Sequence, residues 1–216
     1  LVDADIYGPS QPVMLNSSAG ELQLTQNKII EPLKKEGIKF ISMGLISNEK
    51  MPVIWRGPMV SGAVMQLLSQ TDWGELDFLI VDTPPGTGDV QLTLLQRIPL
   101  TSSIVVTTPQ KVAVSDCKKG IEMINKHNLP ISGLIENMSW FQPDDSEKRY
   151  YLFGKNGGKE LSKEYSLDLL AQLPLVELGE DSDIQNNPLL QKEFDKISDK
   201  LTASIKLLKE KKSTGI

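Results

Sequence analysis

The chain has 216 residues, 39% of them hydrophobic, and a net charge of -5. That length supplies one hydrophobic core and slightly exceeds the usual single domain, so one domain over residues 1–216 is expected. The acidic balance leaves no basic footprint and argues against nucleic acid as principal partner. No apolar run approaches the length of a membrane span, and a single cysteine, Cys117, excludes an intramolecular disulfide framework. It suits a reducing compartment, with the cytoplasm as the expected location.

In chain order, Leu1-Val2 leads into Asp3-Ala4-Asp5-Ile6-Tyr7-Gly8-Pro9-Ser10, an apolar start followed by carboxylates and a turn-forming Gly-Pro. On an extended chain Asp3 and Asp5, two apart, share a face and could orient an attacking water and a metal-bound water. A solvated strand end is the other reading. Ser17-Ser18-Ala19-Gly20 reads as a turn, 38–46 as a strand, and 58–70 as a helix with Pro58 in its first turn. Trp55-Arg56 before that helix could draw an anion, although a core Trp55 and an Arg56 paired with a local acid is the stronger reading.

Phe78-Leu79-Ile80-Val81 reads as a strand covered on both faces, followed by Asp82-Thr83-Pro84-Pro85-Gly86-Thr87-Gly88-Asp89. An acid closing a buried strand and opening a Gly-rich loop can hold a hydrated Mg2+ beside a triphosphate. Asp82 would lie at the carboxyl edge where open α/β sheets bind ligands, and Gly86 and Gly88 allow backbone N–H groups to approach a phosphate. Asp89 reads better as the N-cap of a helix running to Leu95. Beyond it follow a strand over 103–107, a helix over 112–127 ending at His127, a strand over 131–135, a short helix over 158–165 and a strand over 167–173. His127 meets a helix dipole and, with no second His or Cys nearby, is a poor metal ligand. Residues 174–187 read as a polar loop. Phe194, Ile197, Leu201, Ile205 and Leu208 mark an amphipathic C-terminal helix, better docked on the sheet than laid on a membrane. This alternation implies an α/β fold with a doubly wound parallel sheet.

The strings at 3–10 and 82–89, with Trp55-Arg56-Gly57-Pro58-Met59 and Glu136-Asn137-Met138-Ser139, resemble the Mrp family of iron-sulfur cluster carriers. These are P-loop ATPases of the deviant Walker A superfamily, and the resemblance runs from Leu1 to about Pro188. It implies ATP and Mg2+ as cofactors, ATP hydrolysis, a homodimer, and iron-sulfur acceptor apoproteins as partners. It further implies that Asp5 polarises the attacking water, that Asp3 contacts Mg2+ through its hydration shell, and that Asp82 is the Walker B acid. Gly86 would sense the γ-phosphate, and Asn137 would hydrogen-bond the adenine edge, where a strand-terminal turn residue is the alternative.

Two departures from the family stand out. The Walker A run ending in Gly-Lys-Ser or Gly-Lys-Thr is absent from the 216 residues, and with it the lysine and anion nest that cradle β- and γ-phosphates. The fold expected is therefore a P-loop NTPase lacking its first strand, P-loop and first helix, an N-terminal truncation that exposes a sheet edge and would leave out any targeting segment. The family's cluster-ligating Cys-x-x-Cys is replaced by Trp140-Phe141-Gln142-Pro143-Asp144-Asp145-Ser146, although Phe153-Gly154-Lys155-Asn156-Gly157-Gly158 is family-like. Two copies of Cys117, read as a small buried apolar residue, would supply two thiolates where a 4Fe-4S cubane needs four. Asp144 and Asp145, an exposed acidic turn, are hard oxygen ligands ill suited to iron-sulfide. Where the family places an Arg after the last strand this chain has Glu180, which with Asp181 and Asp183 reads as surface acid. The functions in view are an Mrp-type ATPase, a non-catalytic scaffold of the same fold, and a Min/Par-like membrane-positioning ATPase.

Overall fold

The computed structural model describes residues 1–17, 23–24, 29–45, 57–143, 146–176 and 187–214. Ser18, Ala19, Gly20, Ile46, Trp55, Arg56, Asp144, Asp145, Glu180, Asp181 and Asp183 lie outside them. The chain divides into two compact units, Leu1–Ile98 and Pro99–Ile216, each taken by itself.

The first unit carries β1 (Val2–Asp3), α1 (Gln11–Met14), β2 (Gln23–Leu24), β3 (Ile30–Glu31), β4 (Leu33–Lys35), β5 (Ile38–Ser42), α2 (Gly57–Gln70), β6 (Val81–Asp82) and α3 (Asp89–Arg97). Its main sheet runs β4-β5-β1-β6. The β1 strand is parallel to both neighbours, pairing Asp3 with Ser42 on one side and Asp82 on the other. Three strand ends therefore place polar side chains side by side. The expected strand over 38–46 stops at Ser42 and gives way to a 3-10 turn over Met43–Leu45. The antiparallel β4 went unforeseen because it is short and rich in lysine. It forms a tight hairpin with β5, in which Lys35 pairs with Ile38 and Glu36 and Gly37 both have positive φ, as a two-residue turn of this kind requires. The α2 helix buries Val60, Val64 and Leu67, spaced four and three apart on one stripe.

The run 78–81 departs from its expected burial. Only Val81–Asp82 is strand, and Phe78, Leu79 and Ile80 are 51%, 41% and 64% exposed. Among the described strands β6 has a neighbour on one edge only, and a strand at the margin of its sheet lacks the cover that an interior parallel strand receives.

The second unit is a parallel sheet in the order β7 (Ser103–Thr107), β8 (Ile131–Glu136), β9 (Leu169–Gln172), with helices α4 (Lys111–Lys126), α5 (Gly157–Tyr165) and α6 (Pro188–Thr214). Alternation along β8 sends neighbouring side chains to opposite faces. Leu134 packs with Val105, Ile121 and Leu161 under α4 and α5, whereas Ile135 packs with Leu170, Ala171, Leu173, Leu190 and Ile197 under α6. Helices on both faces are the doubly wound arrangement the alternation implied. Each fully buried aliphatic side chain stabilises this unit by roughly 1.5–3 kcal/mol. The C-terminal helix docks as expected, through Leu190 and Ile197 with Leu201 alongside, and Lys200 Nζ donates to Leu170 O at 2.9 Å. Phe194 is off that stripe and half exposed. No helix among the described residues is long and apolar enough to cross a membrane.

Candidate functional site

In the first unit the site is built at the carboxyl ends of β1, β5 and β6. Asp3, the last residue of β1, is fully buried, and its carboxylate is enclosed by donors. Its Oδ2 accepts from Ser42 Oγ at 2.9 Å and from Gln11 N at 3.2 Å, and its Oδ1 accepts from Asp5 N at 3.2 Å. Its register partner Asp82 is half-buried and accepts from Gln11 Nε2 at 2.8 Å. Gln11 thus donates to both acids, by peptide N–H to one and by side chain to the other. A neutral donor between two carboxylates offsets part of their repulsion while leaving lone pairs on each for a hydrated ion.

Burial pushes the Asp3 carboxyl above the ordinary aspartate value of 3.8, and the nearby Asp82 charge adds to the rise against three opposing hydrogen bonds. The folded state therefore holds this proton more tightly than the unfolded chain does. Its contribution to stability is full below 3.8 and is lost as pH rises through the higher folded value. Asp3→Asn should flatten that fall in urea unfolding measured across a pH series. An unchanged slope would show that Asp3 does not carry it.

Asp5 departs from its expected placement. The strand ends at Asp3, so the two carboxylates do not share an extended face. Asp5 instead accepts from Tyr7 N at 3.0 Å and Gly8 N at 3.1 Å with Oδ1, holding the following turn. A carboxylate followed by Gly-Pro finds these local donors before it can continue a strand.

The loop after Asp82 is pinned from α3. Gln91 Nε2 donates to Gly86 O at 3.2 Å and to Pro84 O, while Gln91 Oε1 is buried with no hydrogen-bond partner. Gly86 has φ of +90°, a region that other residues enter only under strain, with open space where a Cβ would stand. Asp89 is not the N-cap. Gly88 holds that position and Asp89 is the first helical residue, where its charge still favours the helix N-terminus. Sequence reasoning missed Gln11, Ser42 and Gln91. The β1–β5 register was the signal for Ser42, and a buried-side Gln two residues into α3 was the signal for Gln91.

In the second unit Asn137 follows β8, with its N–H bonded to Thr107 O at 2.7 Å and its Oδ1 accepting from Met138 N at 2.9 Å. Glu136, which sequence reasoning passed over, is 1% exposed and accepts from Ser139 Oγ at 2.8 Å, Gln172 Nε2 at 2.6 Å and the Gly158 N–H at the start of α5. His127 is the C-cap of α4, its Nδ1 2.9 Å from Met123 O. Cys117 is half-buried beside Ile121, directs its thiol to Val106 O at 3.3 Å, and burial pushes that thiol up, away from the thiolate form that binds iron.

The donor set suits magnesium better than an iron-sulfur cluster. Among the described residues no group of three or more His, Cys, Asp and Glu could hold a metal alone. Mg2+ does not need one, since it is commonly held by one or two carboxylates with waters and substrate phosphates, and Asp3 with Asp82 can supply those oxygens.

The family described as "ParA: NUBPL iron-transfer P-loop NTPase" matches residues 1–208. An iron-sulfur cluster carrier protein of Pseudomonas fragi is 44% identical over 185 residues, 85% of this chain and 64% of that protein. The iron-sulfur cluster transfer protein NUBPL of Mus musculus is 45% identical over 185 residues, 85% of this chain and 57% of that protein. The chain thus spans less than two thirds of the length of these relatives. Among solved structures, a nucleotide-binding protein from Archaeoglobus fulgidus in complex with ADP, in which Co was found, superposes with a TM-score of 0.68 at 28% identity, covering 91% of this chain and 72% of that one.

Proposed function

The chain belongs to the NUBPL iron-transfer P-loop NTPase family, and from that premise we propose that it carries the magnesium-handling half of an ATP-hydrolysing iron-sulfur cluster carrier. The observation that carries the reading is the paired register of Asp3 with Asp82 at the strand ends, bridged by Gln11. ATP is the nucleotide proposed, in line with the ADP named for the Archaeoglobus relative.

Mg2+ would supply charge neutralisation between the β- and γ-phosphates. Asp82 would hold its hydration shell, and Asp3, with three of its lone-pair sites already engaged, would act through that shell. Asp5 would accept a proton from the attacking water. The Gly86 N–H would contact the γ-phosphate, and Asn137 the adenine edge. Asp3 and Asp5 are the catalytic residues proposed, Asp82 and Asp3 those facing the metal, and Gly86 and Asn137 those contacting nucleotide.

The cluster is proposed as cargo, without ligands from this chain, because its one cysteine carries a thiol raised in pKa. We take the working unit as a homodimer in the cytoplasm that delivers to acceptor apoproteins.

The test is equilibrium binding of a fluorescent ATP analogue to the protein carrying this chain, with Mg2+ and with EDTA. Affinity that collapses in EDTA is expected, and affinity indifferent to magnesium would remove the reading. Residues 1–216 by themselves contain no Gly-Lys-Ser or Gly-Lys-Thr loop and should turn over little ATP.

A further inference from the structure

In the second unit a concavity of about 200 Å³ is lined by Arg149, Lys155 and Lys159 together with Trp140, Tyr151, the buried Glu136 and its half-buried partner Gln172. Three cations surround it in a chain whose net charge is -5. None of the three forms an ion pair with a described carboxylate. Two are instead held on aromatic faces. The Arg149 guanidinium lies 4.4 Å from the centre of the Trp140 ring, and Lys155 Nζ lies 3.9 Å from that of Tyr151.

A guanidinium held over a ring without a counter-ion keeps N–H donors, and these can bind an oxyanion through two parallel hydrogen bonds. The Nε–H reaches only Gln142 Oε1, at 3.5 Å, so the terminal nitrogens keep their donors. Glu136, the one carboxylate in the wall, is outnumbered three to one by the cations. Its oxygens are already engaged by Ser139, Gln172 and the Gly158 N–H, which also occupies that amide of the α5 N-terminus. A hollow whose lining is net positive concentrates anions.

We propose that this hollow binds a small soluble phosphate-bearing ligand, with Arg149 and Lys155 as its main contacts and Lys159 closing the rim. Its volume is below the roughly 300–1,000 Å³ of pockets that enclose drug-sized ligands, so it takes a phosphate group on a compact molecule and not a whole nucleotide. The proposal is independent of the magnesium site, which lies in the first unit.

The experiment titrates the 216-residue chain with inorganic phosphate at constant ionic strength, read by amide NMR shifts, with acetate and chloride as parallel arms and anionic phospholipid vesicles as a separate arm. A phosphate Kd of about 1 mM or tighter is expected, with acetate and chloride at least about 10-fold weaker and the shifts centred on residues 149–159. Arg149→Gln with Lys155→Gln should weaken phosphate at least about 10-fold. Lys118→Gln, which touches only the Lys118–Glu164 pair at 2.7 Å, should leave it unchanged. Equal binding of chloride, which would mark an adventitious ion only, would overturn the proposal. So would undiminished affinity in the double variant, or capture by vesicles without binding of free phosphate.

Discussion

Asparagine in place of Asp82 should lower magnesium-dependent ATP turnover by the protein carrying this chain about 100-fold or more. The substitution preserves shape, and the amide oxygen of Asn can still accept from Gln11 Nε2, which now bonds Asp82 at 2.8 Å. What is lost is the charge facing the ion. Relief of repulsion against buried Asp3 should leave the unfolding free energy equal or higher, because the Asp82 charge is one cause of the raised Asp3 pKa. Steady-state kinetics at several Mg2+ concentrations, with urea unfolding alongside, checks both halves. Turnover and magnesium dependence matching the parent protein would remove Asp82 from the ion site.

The second large effect belongs to stability. Glu136→Ala should cost about 1–3 kcal/mol, since it leaves the buried Gly158 N–H without its acceptor and takes one from Gln172 Nε2, while Ser139 Oγ keeps the Glu136 carbonyl oxygen at 2.9 Å. Water can reach Gln172, which is half-buried at the hollow, but not Ser139 or Gly158, which are buried. Close packing sharpens the dependence. A Cβ on Gly158 would stand 2.8 Å from Glu136 Cβ, so strand and helix meet there without room for repair. Glu136→Gln keeps the volume and one acceptor oxygen but turns an NH2 toward existing donors, and its cost should fall between the two. Chemical denaturation of the three proteins settles the order. A loss for the alanine variant below about 0.5 kcal/mol would mean the network contributes nothing net.

These two acids also mark what could and could not be read from the chain. Asp82 was legible because an apolar run, an acid and a Gly-rich loop follow one another, a pattern that local chemistry explains. Glu136 was not, since its partners lie 3, 22 and 36 residues away and only the β8–β9 register and the docking of α5 bring them together. The strand over 103–107, the helices expected over 58–70 and 112–127 and found from 57 and 111, and the docked terminal helix followed from periodicity. Periodicity misjudged residues 78–80, where burial depends on which strand sits beside the run and not on the run itself. It also misjudged Asp5, whose nearest donors are its own next amides. Family strings pointed to Asp3 but not to Gln11 and Ser42, which reach it from α1 and from the end of β5.

The turn that Asp5 holds sets how its own carboxylate faces. Two amide donors, from Tyr7 and Gly8, converge on one oxygen of the residue proposed to take a proton from water. Both bonds fall on Oδ1, so they fix the direction in which the carboxylate faces and leave its second oxygen as the proposed acceptor. On this scheme the acceptor is preset by the amides that follow it in the chain, before any water arrives.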